Sequence, residues 1–188
     1  MCAHNQGQLL NASKLGESLS LTHPTIRRYI DLFEQTFIFR TLYPYDINVK
    51  KRLVKSPKIY FRDSGLLNRI LQIEDFNDLL GNPVYGASWE GLVIENILSG
   101  LRDWSPFFYR TATGDEIDLV LVKGEKILAV ECKASTSPQL TKGFWRSLEV
   151  LNPFCTYVVS LIEGSYPLKE NVVVCGLDYI LGQEILKQ

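Results

Sequence analysis

Residues 116–134 have the sequence EIDLVLVKGEKILAVECKA, and this stretch predicts a β-hairpin. On both sides of its centre the apolar residues alternate or run continuously, as they do in two adjacent strands. Gly124-Glu125 lies between these runs, and a glycine followed by a polar residue suits a two-residue hairpin turn. With this turn Lys123 pairs with Lys126, and the residue numbers of every further pair sum to 249.

This register predicts a cluster of charged side chains. Asp118 falls directly opposite Glu131, and Glu116 falls opposite Lys133. Residues two apart on a strand share a face, so Glu131 and Lys133 point the same way while Cys132 points to the other side. The hairpin therefore presents two facing carboxylates with an ammonium group beside them.

Two interpretations of the facing carboxylates are open. Like charges directly opposite each other destabilise a sheet, which favours a hard divalent cation between Asp118 and Glu131. Alternatively, they form a solvated polar end of the hairpin, and Lys133 neutralises a neighbour. Strand spacing alone is compatible with both.

A third carboxylate lies on a predicted helix over residues 87–102. At about 100° per residue, its apolar residues form one broad stripe with Glu90 in the middle, whereas Glu95 falls on the opposite face. An acid on an apolar face is costly unless it is paired, protonated or bound to a metal. We therefore add Glu90 to the predicted site. The stripe consists of Trp89, Val93, Ile94, Ile97, Leu98 and Leu101.

The pattern Asp118 followed by Glu131-Cys132-Lys133, with Glu90 on the preceding helix, resembles the PD-(D/E)xK nuclease superfamily. The predicted elements also follow the α-β-β-β-α-β order of its restriction-endonuclease-like α/β fold. The resemblance implies Mg²⁺ (or Mn²⁺) held by Glu90, Asp118, Glu131 and the carbonyl of Cys132. It also implies Asp118, Glu131 and Lys133 as catalytic residues, with Lys133 orienting or deprotonating water or stabilising charge. The predicted elements are a helix at 87–102, strands at 106–111, 116–123 and 126–134, a helix at 140–151 and a strand at 154–161.

A second resemblance covers nearly the whole chain. It is to the C-terminal domain of unknown function of bacterial and archaeal AAA-type ATPases. In that family a winged-helix segment precedes a nuclease-related domain, and an ATPase module lies upstream, which implies an ATPase module or subunit as a partner. The stretches that carry the resemblance are GQLLN at 7–11, KRLVKSPK at 51–58, YFRDSG at 60–65, GASWEG at 86–91, YRT at 109–111 and EIDL at 116–119.

The chain departs from the full-length pattern of these ATPases. It contains no Gly-x-x-x-x-Gly-Lys-Ser/Thr loop to hold nucleotide phosphates, and 188 residues are too few for an ATPase together with both other segments. We therefore expect a C-terminal fragment or a shortened relative, and assign it no ATP hydrolysis.

The charges divide unequally along the chain. Residues 1–62 hold ten Lys or Arg and four Asp or Glu, a net charge of +6. Residues 63–188 hold ten basic and seventeen acidic side chains, a net charge of −7. The basic segment is thus the one expected to meet nucleic acid.

The basic segment also has the pattern of a winged helix-turn-helix. Ser13 is predicted to cap a first helix, and Thr22 or His23 begins a second that carries Pro24 in its first turn. Ile26, Tyr29, Ile30 and Phe33 are the predicted buried side of the second helix, and stretches 37–42 and 58–61 the strands of a wing. A purely structural or dimerising role, and hence a homo-oligomer, is the alternative. The predicted DNA contacts are Arg27, Arg28, Lys50, Lys51, Arg52 and Lys55.

Composition favours a soluble, cytoplasmic protein. The chain has 46% hydrophobic and 22% charged residues, no apolar run near the roughly 20 residues that span a bilayer, and no signal-peptide pattern at its N-terminus. Its four cysteines are widely spaced, which predicts free thiols rather than a zinc site.

We predict a winged helix at 1–62, a helical connector at 63–83 with a helix at 64–71, and a nuclease-like domain at 84–188. This last domain ends with an edge strand at 172–175 and a helix at 177–186.

Two functions from different classes follow from these patterns. The first is a metal-dependent nuclease acting on DNA. The second is a non-catalytic module that docks an ATPase onto DNA or a partner, and recognition of a protein alone is a third.

Overall fold

The computed structural model describes residues 1–46, 53–101 and 103–183. The chain divides into two compact units. Met1–Leu42 and Ser56–Leu92 form the first unit, and Tyr43–Lys55 and Val93–Gln188 form the second. The division predicted from the sequence, at residues 62 and 83, stays a prediction.

The first unit has the predicted order of two helices and two strands. A 3-10 turn, Cys2–Asn5, comes before them, and two short helices follow. A longer helix, α5, begins in this unit and continues past the boundary between Leu92 and Val93. The elements are α1 (Ala12–Leu19), α2 (His23–Gln35), β1 (Phe39–Leu42), β2 (Lys58–Phe61), α3 (Ser64–Ile70), α4 (Phe76–Gly81) and α5 (Tyr85–Gly100).

The caps of α1 and α2 follow from short polar side chains. Thr22 caps α2 as predicted, and its hydroxyl accepts from the N–H of Thr25. The predicted cap of α1 was wrong, because Ser13 lies within the helix and Asn11 caps it. The side chain of Asn11 accepts from the N–H of Lys14 at 2.9 Å, and asparagine is among the strongest N-cap residues.

The buried side of α2 is narrower than predicted. Ile26 and Ile30 are buried, and Phe33 packs against the same core. Tyr29 is 49% exposed, so its predicted burial was wrong. At 100° per residue, Tyr29 lies about 80° from the midpoint of Ile26 and Ile30, which places it at the margin of the apolar stripe.

Antiparallel strands β1 and β2 close the core of the first unit. Phe39 pairs with Phe61 in the ladder, and their rings lie edge to face with centroids 4.7 Å apart. Phe33 of α2 contacts the other side of Phe39, at 5.1 Å between centroids. The aromatic side chains therefore join α2 to both strands.

The second unit is built around a six-stranded mixed sheet with the order β3-β4-β5-β6-β8-β7. The β3, β4 and β5 strands are antiparallel neighbours, whereas β5, β6 and β8 run parallel. The predicted order of helix, three strands, helix and strand is present. The elements are β3 (Ser105–Arg110), β4 (Glu116–Lys123), β5 (Lys126–Lys133), α6 (Lys142–Leu151), β6 (Cys155–Ser160), β7 (Ser165–Lys169), β8 (Val172–Cys175) and α7 (Leu177–Leu181).

The predicted hairpin register is confirmed from the turn as far as Leu119 and Val130, where the ladder ends, so the predicted pairs Asp118–Glu131 and Glu116–Lys133 are not among the observed pairs. Leu119 pairs with Val130, and the pairing continues to Lys123 with Lys126. Gly124 adopts a φ of 59°, a left-handed conformation that glycine reaches without steric strain. All observed β4–β5 pairs therefore have residue numbers that sum to 249.

Two layers of apolar side chains cover the sheet around this hairpin. On one face, Val120 and Ala129 form a core with Phe144 and Leu151 of α6 and Val158 of β6. The side chains that alternate with them point to the opposite face, where Leu119, Leu121, Leu128 and Val130 are fully buried. Glu131 follows Ala129 by two residues on β5 and lies on the same face. On β4 the alternation is interrupted by a bulge at Asp118 and Leu119, because Ile117 and Val120 both pack in the core with α6.

The C-terminal part of the sheet differs from the prediction. β8 is an interior strand, so the prediction that it forms the edge was wrong. The edge is β7, whose residues are all exposed and include Pro167, with a bulge between Pro167 and Lys169. This strand was not predicted, because it is only five residues long and contains a proline, which argues against a strand. The last predicted helix is described as α7, and residues 184–186 of that prediction lie outside the described residues.

Among the described residues, no helix is long and apolar enough to cross a membrane. Cys2, Cys132, Cys155 and Cys175 are free thiols, as predicted.

Candidate functional site

Asp118 and Glu131 lie one residue beyond the last paired position of the β4–β5 ladder. Both are buried, with 9% and 7% of their surface exposed. Asp118 comes directly before Leu119, and Glu131 comes directly after Val130, the residues of the last pair. The hairpin thus brings together two of the three acids predicted for the site.

A hydrogen bond fixes the carboxylate of Asp118. Its Oδ2 accepts from the backbone N–H of Cys132 at 2.8 Å. The side chain therefore provides the acceptor for a β5 N–H beyond the end of the backbone ladder. Such a buried acceptor is difficult to remove, since it satisfies a main-chain donor.

Lys133 lies beside Glu131 on the same face of β5. Its Nζ is 2.7 Å from Glu131 Oε1, in a charge-assisted hydrogen bond. Partial burial lowers the pKa of Lys133, but the charge and hydrogen bond of Glu131, together with the charge of Asp118, outweigh it and raise that pKa. Lys133 thus interacts with both acids and stays an ammonium at neutral pH.

The chain after Lys133 is held against the end of β6. The carbonyl of Ser135 accepts from the N–H of Leu161 at 3.1 Å and from the hydroxyl of Ser160. The N–H of Ser135 donates to the carbonyl of Lys133 at 2.8 Å. These contacts anchor the end of the strand that carries Glu131 and Lys133.

Glu90, the third predicted acid, belongs to the first unit. Its Oε1 accepts from Lys58 Nζ at 2.9 Å and from the hydroxyl of Tyr60 at 2.5 Å. Lys58 is almost fully buried, and Glu90 is 16% exposed. An acid on an apolar face is expected to be paired, protonated or bound to a metal. These contacts show that Glu90 is paired. The role of Glu90 as a metal ligand stays a prediction, because Asp118 and Glu131 belong to the other unit.

A buried acid next to the hairpin was not predicted from the sequence. Asp115 directly precedes β4, and its side chain is 5% exposed. It accepts from Nε of Arg146 on α6, at 3.2 and 3.1 Å to its two oxygens, and from Nη2. An acid before a strand is too common to have signalled this pair, and Arg146 lies 31 residues away.

The predicted DNA contacts divide between the described and the undescribed residues. Arg27 and Arg28 are exposed on α2, and Lys55 is exposed in the second unit. Lys50, Lys51 and Arg52 lie outside the described residues. The role of all six residues in DNA contact stays a prediction.

Within the described ranges, no three His, Cys, Asp or Glu side chains form a group that could hold a metal ion. The predicted set of three acids and the carbonyl of Cys132 therefore reduces, in the second unit, to Asp118, Glu131 and that carbonyl.

Two domains of unknown function match the chain. Residues 1–77 match DUF8612, and residues 85–180 match DUF4143. The second match covers just over half of the chain. The chain belongs to the DUF4143 family. This agrees with the expected domain of unknown function, whereas its winged-helix and nuclease-like components stay predictions.

Several curated proteins are similar to this DUF4143 chain. Uncharacterized proteins of Mycobacterium bovis and Mycobacterium tuberculosis are each 36% identical over 181 residues, which cover 96% of this chain and 41% of the relative. An uncharacterized protein of Haemophilus influenzae is 30% identical over 183 residues, covering 95% of this chain and 42% of the relative. The chain therefore spans about two fifths of the length of these relatives. No solved structure matches it significantly.

Proposed function

We propose that the second unit is a PD-(D/E)xK nuclease-like domain with a restriction-endonuclease-like fold. It would bind Mg²⁺ or Mn²⁺ through Asp118 and Glu131 and hydrolyse phosphodiester bonds of DNA. The first unit would be a winged helix-turn-helix that contacts DNA through Arg27 and Arg28. Both units would act together with an AAA-type ATPase module or subunit.

The observation that carries this proposal is the arrangement of Asp118, Glu131 and Lys133. Two buried carboxylates lie just beyond the ladder of one hairpin, and the charges of both raise the pKa of the same lysine. A hairpin end that needed only solubility would not require two buried acids. Their spacing and order are those of the PD-(D/E)xK pattern.

The oxygen ligands available at this site fit a small hard cation. Mg²⁺ prefers oxygen ligands and is commonly bound by one or two carboxylates while it keeps several waters. Asp118 and Glu131 supply two such carboxylates, and the carbonyl of Cys132 would be a further oxygen ligand. A divalent cation bound there would activate water as a Lewis acid and neutralise charge at the phosphate.

The residues of the chain have separate roles in this mechanism. Asp118 would be held in one orientation by its bond to the N–H of Cys132. Because its pKa is raised, Lys133 would act as an ammonium group that orients water or stabilises the charge developing on the phosphate, rather than as a base. Lys133 would thus keep two of its three expected roles, orienting water and stabilising charge, and would not deprotonate water.

One observation favours the alternative, a catalytically inactive docking module. Asp118 is already bonded to a backbone N–H, and Glu131 is already bonded to Lys133. Both carboxylates can therefore be accommodated in the fold without a cation. In that case the chain would bind DNA or a protein for the ATPase and would cleave nothing.

Calorimetric titration with Mg²⁺ or Mn²⁺ separates these two functions. We expect the wild type to bind the cation and Asp118→Asn to lose binding at least tenfold, because the amide keeps the hydrogen-bond acceptor but not the charge. Glu125→Gln, which removes an exposed acid at the hairpin turn, is the matched control.

A cleavage assay completes the test. Labelled single-stranded, duplex and branched DNA would be incubated with Mn²⁺ or Mg²⁺, with EDTA and with the variant Lys133→Met. Cleavage that requires both the cation and Lys133 supports the nuclease. Cation binding without cleavage of any substrate would leave the docking module as the function.

A further inference from the structure

A second charged pair lies close to the carboxylate pair within the same unit. Asp115 and Arg146 are joined by hydrogen bonds from Nε and Nη2 of the guanidinium group. The carboxylate is almost fully buried, whereas the arginine side chain is 53% exposed. Asp115 is thus buried within the unit, and Arg146 is exposed to solvent.

The hydrogen bonds to Asp115 leave part of the guanidinium group of Arg146 available for another ligand. Arginine has five N–H donors, and Asp115 accepts from one on Nε and one on Nη2. In the described part of the chain, Arg146 has no other hydrogen-bond acceptor, so three donors remain. Two N–H groups in a fixed plane match two oxygens of a phosphate, and a side chain held in advance loses less entropy on binding.

The backbone places Arg146 at the same end of the sheet as Asp118. Asp115 comes three residues before Asp118, a distance of about 10 Å along a strand. The first turn of α6 closely approaches Asp115, since a Cβ added to Gly143 would lie 3.2 Å from Asp115 Oδ1.

The charges around Arg146 are mixed. Lys142 lies one turn earlier on α6 and is exposed, whereas Glu149 follows about one turn later and is also exposed. Asp115 itself offsets the charge of Arg146. The second unit, residues 43–55 and 93–188, holds thirteen basic and thirteen acidic side chains and so has no net charge that would attract DNA. A DNA strand that approaches this unit must therefore be held by local cations.

We propose that Arg146, held by Asp115 and assisted by Lys142, binds a backbone phosphate of DNA next to the Asp118–Glu131 pair. This inference rests on the proposed function and adds the contact that positions the strand. About 10 Å corresponds to roughly three nucleotides at about 3.4 Å of helix axis each. The bound phosphate would therefore lie close to, and not at, the bond to be cleaved.

The test is DNA binding in EDTA, where no metal-dependent cleavage occurs. Fluorescence anisotropy with labelled single-stranded and duplex oligonucleotides would compare wild type, Arg146→Gln and Lys126→Gln over a range of salt concentrations. Lys126 is an exposed cation at the opposite end of β5. We expect Arg146→Gln to weaken binding about tenfold and to reduce the salt slope by about one, and Lys126→Gln to change little.

Arg146→Lys provides a second variant that keeps the ion pair with Asp115 and loses the planar fork. It is expected to melt within a few degrees of wild type and still to bind more weakly. Equal losses in Arg146→Gln and Lys126→Gln, wild-type affinity in both Arg146 variants, or a wild type that binds no DNA would each overturn the proposal. If Arg146→Gln loses affinity but the wild type cleaves no DNA with Mn²⁺, only the hydrolytic part of the proposed function fails.

Discussion

The carboxylate of Asp118 accepts the backbone N–H of Cys132 at 2.8 Å, just beyond the last backbone pair of the β4–β5 hairpin. One side chain thus continues the hydrogen bonding of the sheet where the strands cease to pair. The charge of the same carboxylate, like that of Glu131, raises the pKa of Lys133. Asp118 therefore serves both the fold of the hairpin and the candidate metal site. Substitutions are needed that change one of these roles and keep the other.

Asp118→Ala and Asp118→Asn should differ in stability. Alanine leaves the buried N–H of Cys132 without its side-chain acceptor, which lowers the free energy of unfolding by about 1–3 kcal/mol. Asparagine keeps an oxygen acceptor and should retain most of that stability. Urea unfolding of both variants measures the difference. Equal losses would contradict a structural role for the hydrogen bond.

Replacing Lys58 should destabilise the first unit. In Lys58→Met, Glu90 keeps the hydroxyl of Tyr60 but loses its buried cation, at a cost of about 3 kcal/mol in the free energy of unfolding. The double variant Lys58→Met/Glu90→Gln should recover part of this loss, because no unpaired carboxylate remains. Urea unfolding is the measurement, and Lys14→Met, at an exposed lysine of α1, should change stability by less than about 0.5 kcal/mol. A double variant less stable than Lys58→Met would show that the ion pair is not the cause.

Charge reversal on α2 should weaken binding of DNA to the first unit. Arg27→Glu and Arg28→Glu each remove an exposed cation and add an anion, so we expect at least a tenfold loss of affinity at low salt. Arg69→Glu, at an exposed arginine of α3, is the matched control. Anisotropy titrations in EDTA measure all three. Wild-type affinity in both α2 variants, or the same loss in Arg69→Glu, would exclude α2 as the DNA-contacting helix.

Alkaline pH should destabilise the fold through its buried thiols and phenols. Burial and the nearby Cys155 raise the pKa of Cys175 to about 12 from an ordinary 9.0, and burial also raises the pKa of Tyr109. Because the unfolded state releases these protons more readily, the stability that the protonated groups contribute is present below about pH 9. It is lost as pH rises towards 12. Unfolding measured between pH 8 and 11, roughly spanning this window, should show the decline, and Cys175→Ala should make it shallower.

The hairpin could be predicted because its signals are local. Gly124-Glu125 fixes the turn, and the alternation around it fixes which side chains share a face. Asp118, Glu131 and Lys133 follow from those two facts alone. The ladder is confirmed from the turn to Leu119 and Val130, whereas Asp118 and Glu131 lie beyond it, and the hydrogen bond from Cys132 to Asp118 was not expected.

Other features depend on contacts between residues distant in the sequence. Glu90 could be recognised as an acid on an apolar face, but its partners Lys58 and Tyr60 lie about thirty residues away. The pair Asp115–Arg146 is equally distant and has no sequence motif. Strand β7 was not predicted because it is short and contains Pro167, and a proline within a run argues against a strand.

That exposed strand also determines what can join the sheet. Pro167 has no N–H to offer to an incoming strand, and the adjacent bulge interrupts the regular spacing of donors and acceptors. A neighbouring chain cannot extend the sheet across β7 with continuous pairing. The outer margin of the second unit is thereby protected against aggregation by strand addition.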